Sequence, residues 1–281
     1  MQKRTSLVLF LFILLNTLAL NAQKKEIVIL HTNDTHSQIE PTDPASARNP
    51  NEGGVVRRAA AIKQIRKDNK NVLLVDAGDF VQGTPYFNFF NGEVEIKMMN
   101  LLGYNVATLG NHEFDNGVDS LANILKLARF PFVSSNYDVA GTALEPYLRK
   151  KLVIEIDGVK IGFIGLNVEP YGLISKKNFV GITYLDPVEA ANKYAKELRK
   201  EGCQYVVAIS HIGYFEKGNR GDRYIAANTS GLDLIIGGHS HTNLKGCVEV
   251  NDKDGKPVRI VQTMGRSFRL GRVDIEFDEK K

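Results

Sequence analysis

Gly110-Asn111-His112-Glu113-Phe114-Asp115 follows the short apolar run 106–109, and that adjacency decides how the chain is read. A short apolar run bounded by polar residues suits a buried strand, and open α/β sheets place their chemistry just beyond the carboxyl ends of strands. Within the hexamer, Asn111 offers a metal a neutral oxygen and His112 offers an imidazole. Asp115, three residues after His112, can accept a hydrogen bond from the second ring nitrogen. A metal ligand thus stands beside an oriented proton donor. Asn-His pairs also occur as plain hydrogen-bonding groups at strand ends, so the hexamer takes its weight from partners elsewhere.

Four further stretches repeat the pattern. The run 26–31 ends in Thr32-Asn33-Asp34-Thr35-His36, and 72–75 ends in Asp76-Ala77-Gly78-Asp79. The run 205–209 delivers Ser210-His211, and 232–236 delivers Gly237-Gly238-His239-Ser240-His241. All six histidines, His31, His36, His112, His211, His239 and His241, fall at or just past such an end. Scattered core or surface histidines would not sort that way. Asp34 and His36 are separated by one residue, as are His239 and His241. In an extended backbone that spacing turns both side chains to one side, so each pair is expected to share a site. Asp34, His36, Asp79, Asn111, His211, His239 and His241 make a donor set of oxygen and imidazole without thiolate. Such a set suits Mn, Zn, Fe or similar divalent ions and does not choose among them. Seven donors exceed what one tetrahedral ion with an open position needs. They suit two ions sharing a carboxylate, for which Asp79 is the natural bridge.

The elements read β, α, β, α, β, α, β, a hairpin, α and β again, then a β-rich end. Helices are expected over 55–67, over Glu93–Leu102 with Gly103 as carboxyl cap, over 119–128 opening on Asp119 as a capping residue, and over Pro187–Lys200. Residues 41–54 should be a loop, and Asp157-Gly158 should turn a hairpin between 152–156 and 159–166. At the start, 1–22 reads as a secretory signal, with Lys3 and Arg4 ahead of an apolar stretch 7–20 that is too short to span a bilayer. Cleavage is expected after Ala22, which implies an exported protein, periplasmic or secreted, with no membrane association afterwards. Residues 23–281 should form one catalytic domain, long enough to bury roughly 70–75% of its unfolded surface.

Removing Lys3 and Arg4 takes the formal charge from +4 to +2, and the basic residues are scattered along the sequence. That balance argues against nucleic acid or an acidic membrane as partner. Two cysteines, Cys203 and Cys247, exclude a disulfide framework and leave open either a single bridge or two buried free thiols.

Taken together, Asp34-Thr35-His36, Gly78-Asp79, Gly110-Asn111-His112-Glu113, His211 and Gly237-Gly238-His239-Ser240-His241 resemble the motifs of the calcineurin-like metallophosphoesterases. Asn33-Asp34-Thr35-His36 with Phe114-Asp115 resembles their 5'-nucleotidase branch, and the resemblance runs through the whole of 23–281. It implies an α/β fold: a four-layer α/β/β/α sandwich, two mixed sheets flanked by helices, with the metals at the strand ends. It also implies that Asp34, His36, Asp79 and His241 hold one divalent ion and that Asp79, Asn111, His211 and His239 hold the other. Some relatives carry Gln in the place of His241. Asn111 and His112 would touch the substrate, and His112 with Asp115 would form the catalytic dyad. The implied reaction is direct attack of a metal-activated water on phosphorus, without a covalent phosphoenzyme, with His112 neutralising a phosphoryl oxygen or protonating the leaving group.

The expected substrate is a small-molecule phosphoester, a nucleotide first. One departure matters. The branch usually carries a second, carboxyl-terminal domain that reads the nucleoside, and this sequence stops soon after Phe277. Base recognition is therefore expected either from a separate chain or not at all. Two alternatives stand beside the phosphomonoesterase: a phosphodiesterase acting on 2',3'-cyclic nucleotides or nucleotide sugars, and a metal-binding module without activity. Among neighbouring residues, Asp76 is read as a structural acid, His31 as a packed strand residue, and Glu113 as a capping or orienting group. Phe87, Phe89 and Phe90 are read as core or as the lining of a substrate mouth.

Overall fold

Near-continuous apolar runs, whose alternate residues face opposite sides of a sheet, set the architecture. The computed structural model describes residues 24–214 and 220–278, and the signal-like stretch 1–22 lies outside the described residues. In chain order the strands are β1 (Lys25–Thr32), β2 (Val72–Asp76), β3 (Val106–Ala107), β4 (Phe132–Val133), β5 (Tyr137–Asp138), β6 (Leu148–Arg149), β7 (Lys151–Ile156), β8 (Val159–Asn167), β9 (Thr183–Tyr184), β10 (Tyr205–His211), β11 (Leu234–Gly237), β12 (Val248–Asn251), β13 (Pro257–Val261) and β14 (Gly271–Phe277). The helices are α1 (Val55–Asp68), α2 (Pro85–Phe90), α3 (Glu93–Leu102), α4 (Val118–Leu125), α5 (Pro187–Lys200) and α6 (Asp222–Asn228).

Two six-stranded sheets result, ordered β14-β1-β2-β3-β4-β6 and β12-β13-β11-β10-β8-β7, and β5 pairs with β9 alone. From β1 to β6 the first sheet is parallel, with β14 antiparallel at its edge. The second has a parallel centre, β13-β11-β10-β8, with antiparallel β12 and β7 outside it.

Alternate residues of each strand face different layers. Ile27 and Ile29 of β1, Leu73 and Val75 of β2, Ile161 and Phe163 of β8, and Val207 and Ile209 of β10 meet in one core between the sheets. Val28, Leu30 and Leu74 face outward, against Ile62, Ile96, Leu121 and their neighbours on α1, α3 and α4. On the far side Ile164, Val206 and Ala208 pack on Ala191, Ala195 and Leu198 of α5. The layers are therefore α/β/β/α, as the motifs implied.

Helix α5 starts where Asp186 accepts from the amides of Val188 and Glu189 at 2.8 and 3.1 Å, with Pro187 in the first turn. Helix α3 ends at Gly103, left-handed at φ 71°, as its sequence position requires. Asn167, at the end of β8, joins the two sheets. Its side chain donates to the carbonyl of Leu109 at 2.6 Å and to Thr108 Oγ1 at 3.1 Å, and it accepts from Ser134 at 2.6 Å.

Several local expectations are corrected. The run 106–109 is a strand only over Val106–Ala107, because Leu109 already turns toward the hexamer. Asp119 does not cap α4. Gly117 occupies that position without a side-chain bond, and Asp119 lies in the first turn. Helices α2 and α6 were not foreseen, nor were the two-residue strands β5, β6 and β9. Both cysteines are free, Cys203 buried and Cys247 exposed, so neither the bridge nor a pair of buried thiols is found. Among the described residues no helix is long and apolar enough to cross a membrane.

Candidate metal centre

The strand ends bring two clusters of donors together. Ligand atoms of Asp34, His36 and His241 lie within 4.8 Å of one another, and so do those of Asp79, His211 and His239. His239 and His241, which the resemblance assigns to different ions, fall in different clusters. The backbone sets this division. His239 and His241 are left-handed at φ 69° and 49°, so successive side chains do not alternate as on a strand. Asp34 and His36 do share a cluster, yet they too are left-handed, at φ 49° and 48°, and reach it by a tight turn rather than by extended spacing. Asp79 makes a fifth, at φ 54°. Five strained non-glycine residues in so small a volume is the pattern of a functional site.

His211 and His36 are each aimed by the second ring nitrogen. His211 Nδ1 lies 2.6 Å from the carbonyl of Ala77, which turns Nε2 to within 3.0 Å of Asp79 Oδ2. His36 Nδ1 faces the carbonyl of Val81 at 3.3 Å, and its Nε2 stands 2.9 Å from His241 Nε2. Asp34 is fixed by Asn33 Nδ2 at 2.6 Å and by the amide of His239 at 3.0 Å. Burial opposes the charge of His211, but the neighbouring Asp79 carboxylate outweighs it and holds the imidazole up to about 10. Burial would raise Asp79, and the charge of His211 instead holds it well below the usual carboxylate range. Burial pushes His239 down to about 4, the neutral form in which imidazole binds metals.

One buried atom at the site, Asn111 Oδ1, has no hydrogen-bond partner among the described residues. Buried polar atoms are almost always paired. That orphaned oxygen, and two imidazole nitrogens facing each other at 2.9 Å, fit a donor set shaped for cations. Asp79 Oδ1 also accepts the amide of His112 at 2.9 Å.

Beside the clusters, His112 Nδ1 lies 2.8 Å from Asp115 Oδ2, and the His112 ring stands edge-on to His36 at 5.4 Å. The bond to Asp115 raises the His112 pKa against the effect of partial burial. Of the nine residues singled out from the sequence, Asp34, His36, His241, Asp79, His211, His239, His112 and Asp115 are joined by these contacts at the strand ends, and Asn111 stands in the turn between Gly110 and His112.

Glu113 lies in neither donor cluster and acts as the orienting group it was read as. Its carboxylate accepts from the amides of Asp79 at 3.0 Å, Phe80 at 2.9 Å, and Gly110, and so pins the two turns against each other. Gly110 is a matter of space, since a Cβ there would lie 2.1 Å from Asp79 Oδ1 and 2.6 Å from His211 Nε2. Asn178 donates to the carbonyl of Asp115 at 2.7 Å from a distant loop, and no local pattern could announce it. Asp76 proves structural, accepting from Thr32 Oγ1 and from the Gly78 amide at 2.9 Å. His31 is packed in β1 as expected. Of the three phenylalanines, Phe87 is buried, while Phe89 and Phe90 are exposed.

A four-layer sandwich with histidine and carboxylate clusters at the ends of its parallel strands defines a class, that of α/β proteins built to hold metal ions at the sheet edge. The family follows from comparison. The calcineurin-like phosphoesterase model matches residues 27–243, and the chain belongs to that family. A snake venom 5'-nucleotidase of Gloydius brevicauda is 35% identical over 94% of this chain and 47% of its own length. The trifunctional nucleotide phosphoesterase protein of Bacillus subtilis is 31% identical over 91% of this chain and 18% of its own. The crystal structure of a 5'-nucleotidase precursor from Thermus thermophilus superposes with a TM-score of 0.83 at 35% identity, covering 90% of this chain and 52% of that one. The chain spans about half the length of the curated 5'-nucleotidases it matches.

Proposed function

We propose that this chain is a metal-dependent phosphomonoesterase that releases phosphate from nucleotides. The observation that carries the reading is the His112–Asp115 pair standing beside two adjoining metal-type clusters, since a purely structural site would need no such pair. In this reading Asp34, His36, Asp79 and His241 hold one divalent ion, and Asp79, Asn111, His211 and His239 hold the other. Two cations at such a site neutralise phosphoryl oxygens and lower the pKa of a water held between them.

The chain's own residues do the rest. Asp115 fixes the tautomer of His112, leaving Nε2 to donate to a phosphoryl oxygen or to the leaving group. A general acid of this kind contributes about 10²–10⁴-fold. Asn111 and His112 hold the substrate, and Glu113 keeps their turn in register with Asp79.

The relatives named 5'-nucleotidase support the nucleotide preference. One relative's name, trifunctional nucleotide phosphoesterase, supports a second reading in which the same site opens phosphodiesters. We propose further that 1–22 directs export and that 23–281 forms the catalytic domain.

The test is the exchange His112→Asn with Mn bound. Turnover should fall at least a hundredfold while metal content stays constant, and undiminished turnover removes the dyad from the reading. A panel of AMP, UDP-glucose, 2',3'-cyclic AMP and an aryl phosphate then separates the two activities.

A further inference from the structure

Behind the loop that carries Asp34 and His36, Ser37 Oγ, Arg58 Nε and both carboxylate oxygens of Glu95 are buried without a well-formed hydrogen bond. They belong to residues that line one cavity of about 10 Å³, bordered by Phe80, Met99 and Tyr104. Glu95 lies in the first turn of α3 and is 3% exposed. A carboxylate that deep, with the Ser37 hydroxyl and its own amide as its nearest donors, is costly.

The walls specify what fits. The volume is near the minimum for one water, which needs two to four polar partners. Two carboxylate oxygens accept, the arginine nitrogen donates, and the serine hydroxyl does either. A cation would meet the guanidinium of Arg58, and an anion would meet Glu95. Water, with two protons and two lone pairs, meets neither objection.

We propose that one ordered water occupies this cavity, donating to Glu95 and accepting from Arg58, with Ser37 completing its bonds. Through that water Glu95 is a positioning residue for the loop 34–37, an inference that rests on reading Asp34, His36 and His241 as one metal position. The loop needs such a hold. Asp34, His36 and Ser37 are all left-handed, at φ 49°, 48° and 51°. The Ser37 backbone is tied on both sides, its amide to the Phe80 carbonyl at 3.0 Å and its carbonyl to Thr84 Oγ1 at 2.7 Å, so the hydroxyl is the remaining point of control. Arg58 extends the hold, since Nη1 donates to Ser267 Oγ at 2.9 Å and the amide of neighbouring Arg266 donates to the Asp34 carbonyl at 2.6 Å.

Two measurements test this. In an electron-density map of the metal-free wild-type protein, one peak is expected within hydrogen-bonding distance of Glu95 and Ser37. An empty cavity overturns the water, whatever the metals do. Mn titrations then read the positioning. A His239→Ala background reports on the Asp34, His36 and His241 position, and a His241→Ala background reports on the other. Glu95→Leu should weaken binding roughly 10–100-fold in the first background only, the scale seen when an outer partner of a ligand is lost. Glu95→Gln, which still bonds water, should remain close to wild type. Unchanged affinity, or equal losses in both backgrounds, overturns the positioning role. If Glu95→Leu does not fold, Ser37→Ala replaces it, with the same selective loss expected and the same outcomes overturning it. Absence of Mn binding in the parent protein would instead refute the metal reading and leave the water result standing.

Discussion

Gly110→Ala should remove metal binding and leave the fold in place. The added Cβ would sit 2.1 Å from Asp79 Oδ1 and 2.7 Å from its Cγ, closer than carbon atoms approach such groups, so the carboxylate must move by roughly 1 Å. Metal–oxygen bonds are about 2.0–2.2 Å long, and a ligand displaced that far no longer closes the site. Losing an outer partner of a ligand already costs about 10–100-fold in affinity, so direct displacement should cost at least ~100-fold. Gly110 is not left-handed, so alanine adds no backbone strain there. The assay is thermal unfolding with Mn and with EDTA. At a metal concentration ~100 times the wild-type Kd, binding stabilises the native state by about 2.7 kcal/mol. For a domain of this size that is a rise in Tm of roughly 5–11 °C. A ~100-fold weaker variant would retain about 0.4 kcal/mol at the same concentration, a rise of roughly 1–2 °C. Gly246→Ala is the control, because a Cβ there meets nothing within 4 Å. If Gly110→Ala keeps the full metal-dependent rise, Gly110 does not border the metal position and the placement of Asp79 as a ligand is wrong.

Further outcomes follow from the same contacts. Glu113→Gln replaces one carboxylate oxygen by a donor that faces backbone amides, and should lower metal-free stability by about 1–3 kcal/mol in urea titrations. Unaltered stability would show that the cradle around Glu113 is not needed. Asn178→Ala deletes the bond to the Asp115 carbonyl and should lower kcat about fivefold at constant KM, the equivalent of about 1 kcal/mol; a change in KM alone would contradict this. Gly165→Ala would put a Cβ 2.0 Å from the carbonyl of Val133 on the facing sheet, and should destabilise by more than about 3 kcal/mol, read as loss of soluble protein. Chelation by EDTA should abolish hydrolysis, and Mn should restore it.

The layers and the location of the site were legible because the physics behind them is local. Near-continuous apolar runs over 26–31, 159–166 and 205–209 dictate two-sided burial, and polar residues directly after such runs lie at the strand ends. The two-residue strands β5, β6 and β9 had no periodicity to show, since their pairing is decided by neighbouring strands. Helix α2, Pro85–Phe90, is rich in aromatic residues with middling helix propensity, and its existence depends on Phe87 packing into the core. Spacing by itself turns His239 and His241 to one side, and only the resemblance divides them between two ions. Left-handed φ at both residues is a tertiary outcome that spacing alone does not encode. Glu113 shows the same limit. Its type was visible, but its partners are amides 32 to 34 residues earlier and one three residues back.

Strain and buried charge at the site argue for the same conclusion from different directions. A left-handed non-glycine residue costs roughly 1–3 kcal/mol, and Asp34, His36, Asp79, His239 and His241 all carry that cost within one cluster. Asp34 and Asp79 are buried carboxylates, 0% and 2% exposed, with a third acid, Glu113, beside Asp79. A sequence optimised only for folding would relax the turns with glycine and replace the acids with apolar residues, which is often neutral or stabilising at buried charged positions. The rest of the fold instead holds them: Asn167 joins the sheets behind Leu109, Glu113 clamps two turns, and the Ala77 carbonyl aims His211. A rigid, strained arrangement that buries two metal-type carboxylates is unfavourable by itself and becomes favourable once cations enter it. The same rigidity fixes His112 relative to both clusters, so binding metal and orienting the proton donor are consequences of a single set of turns.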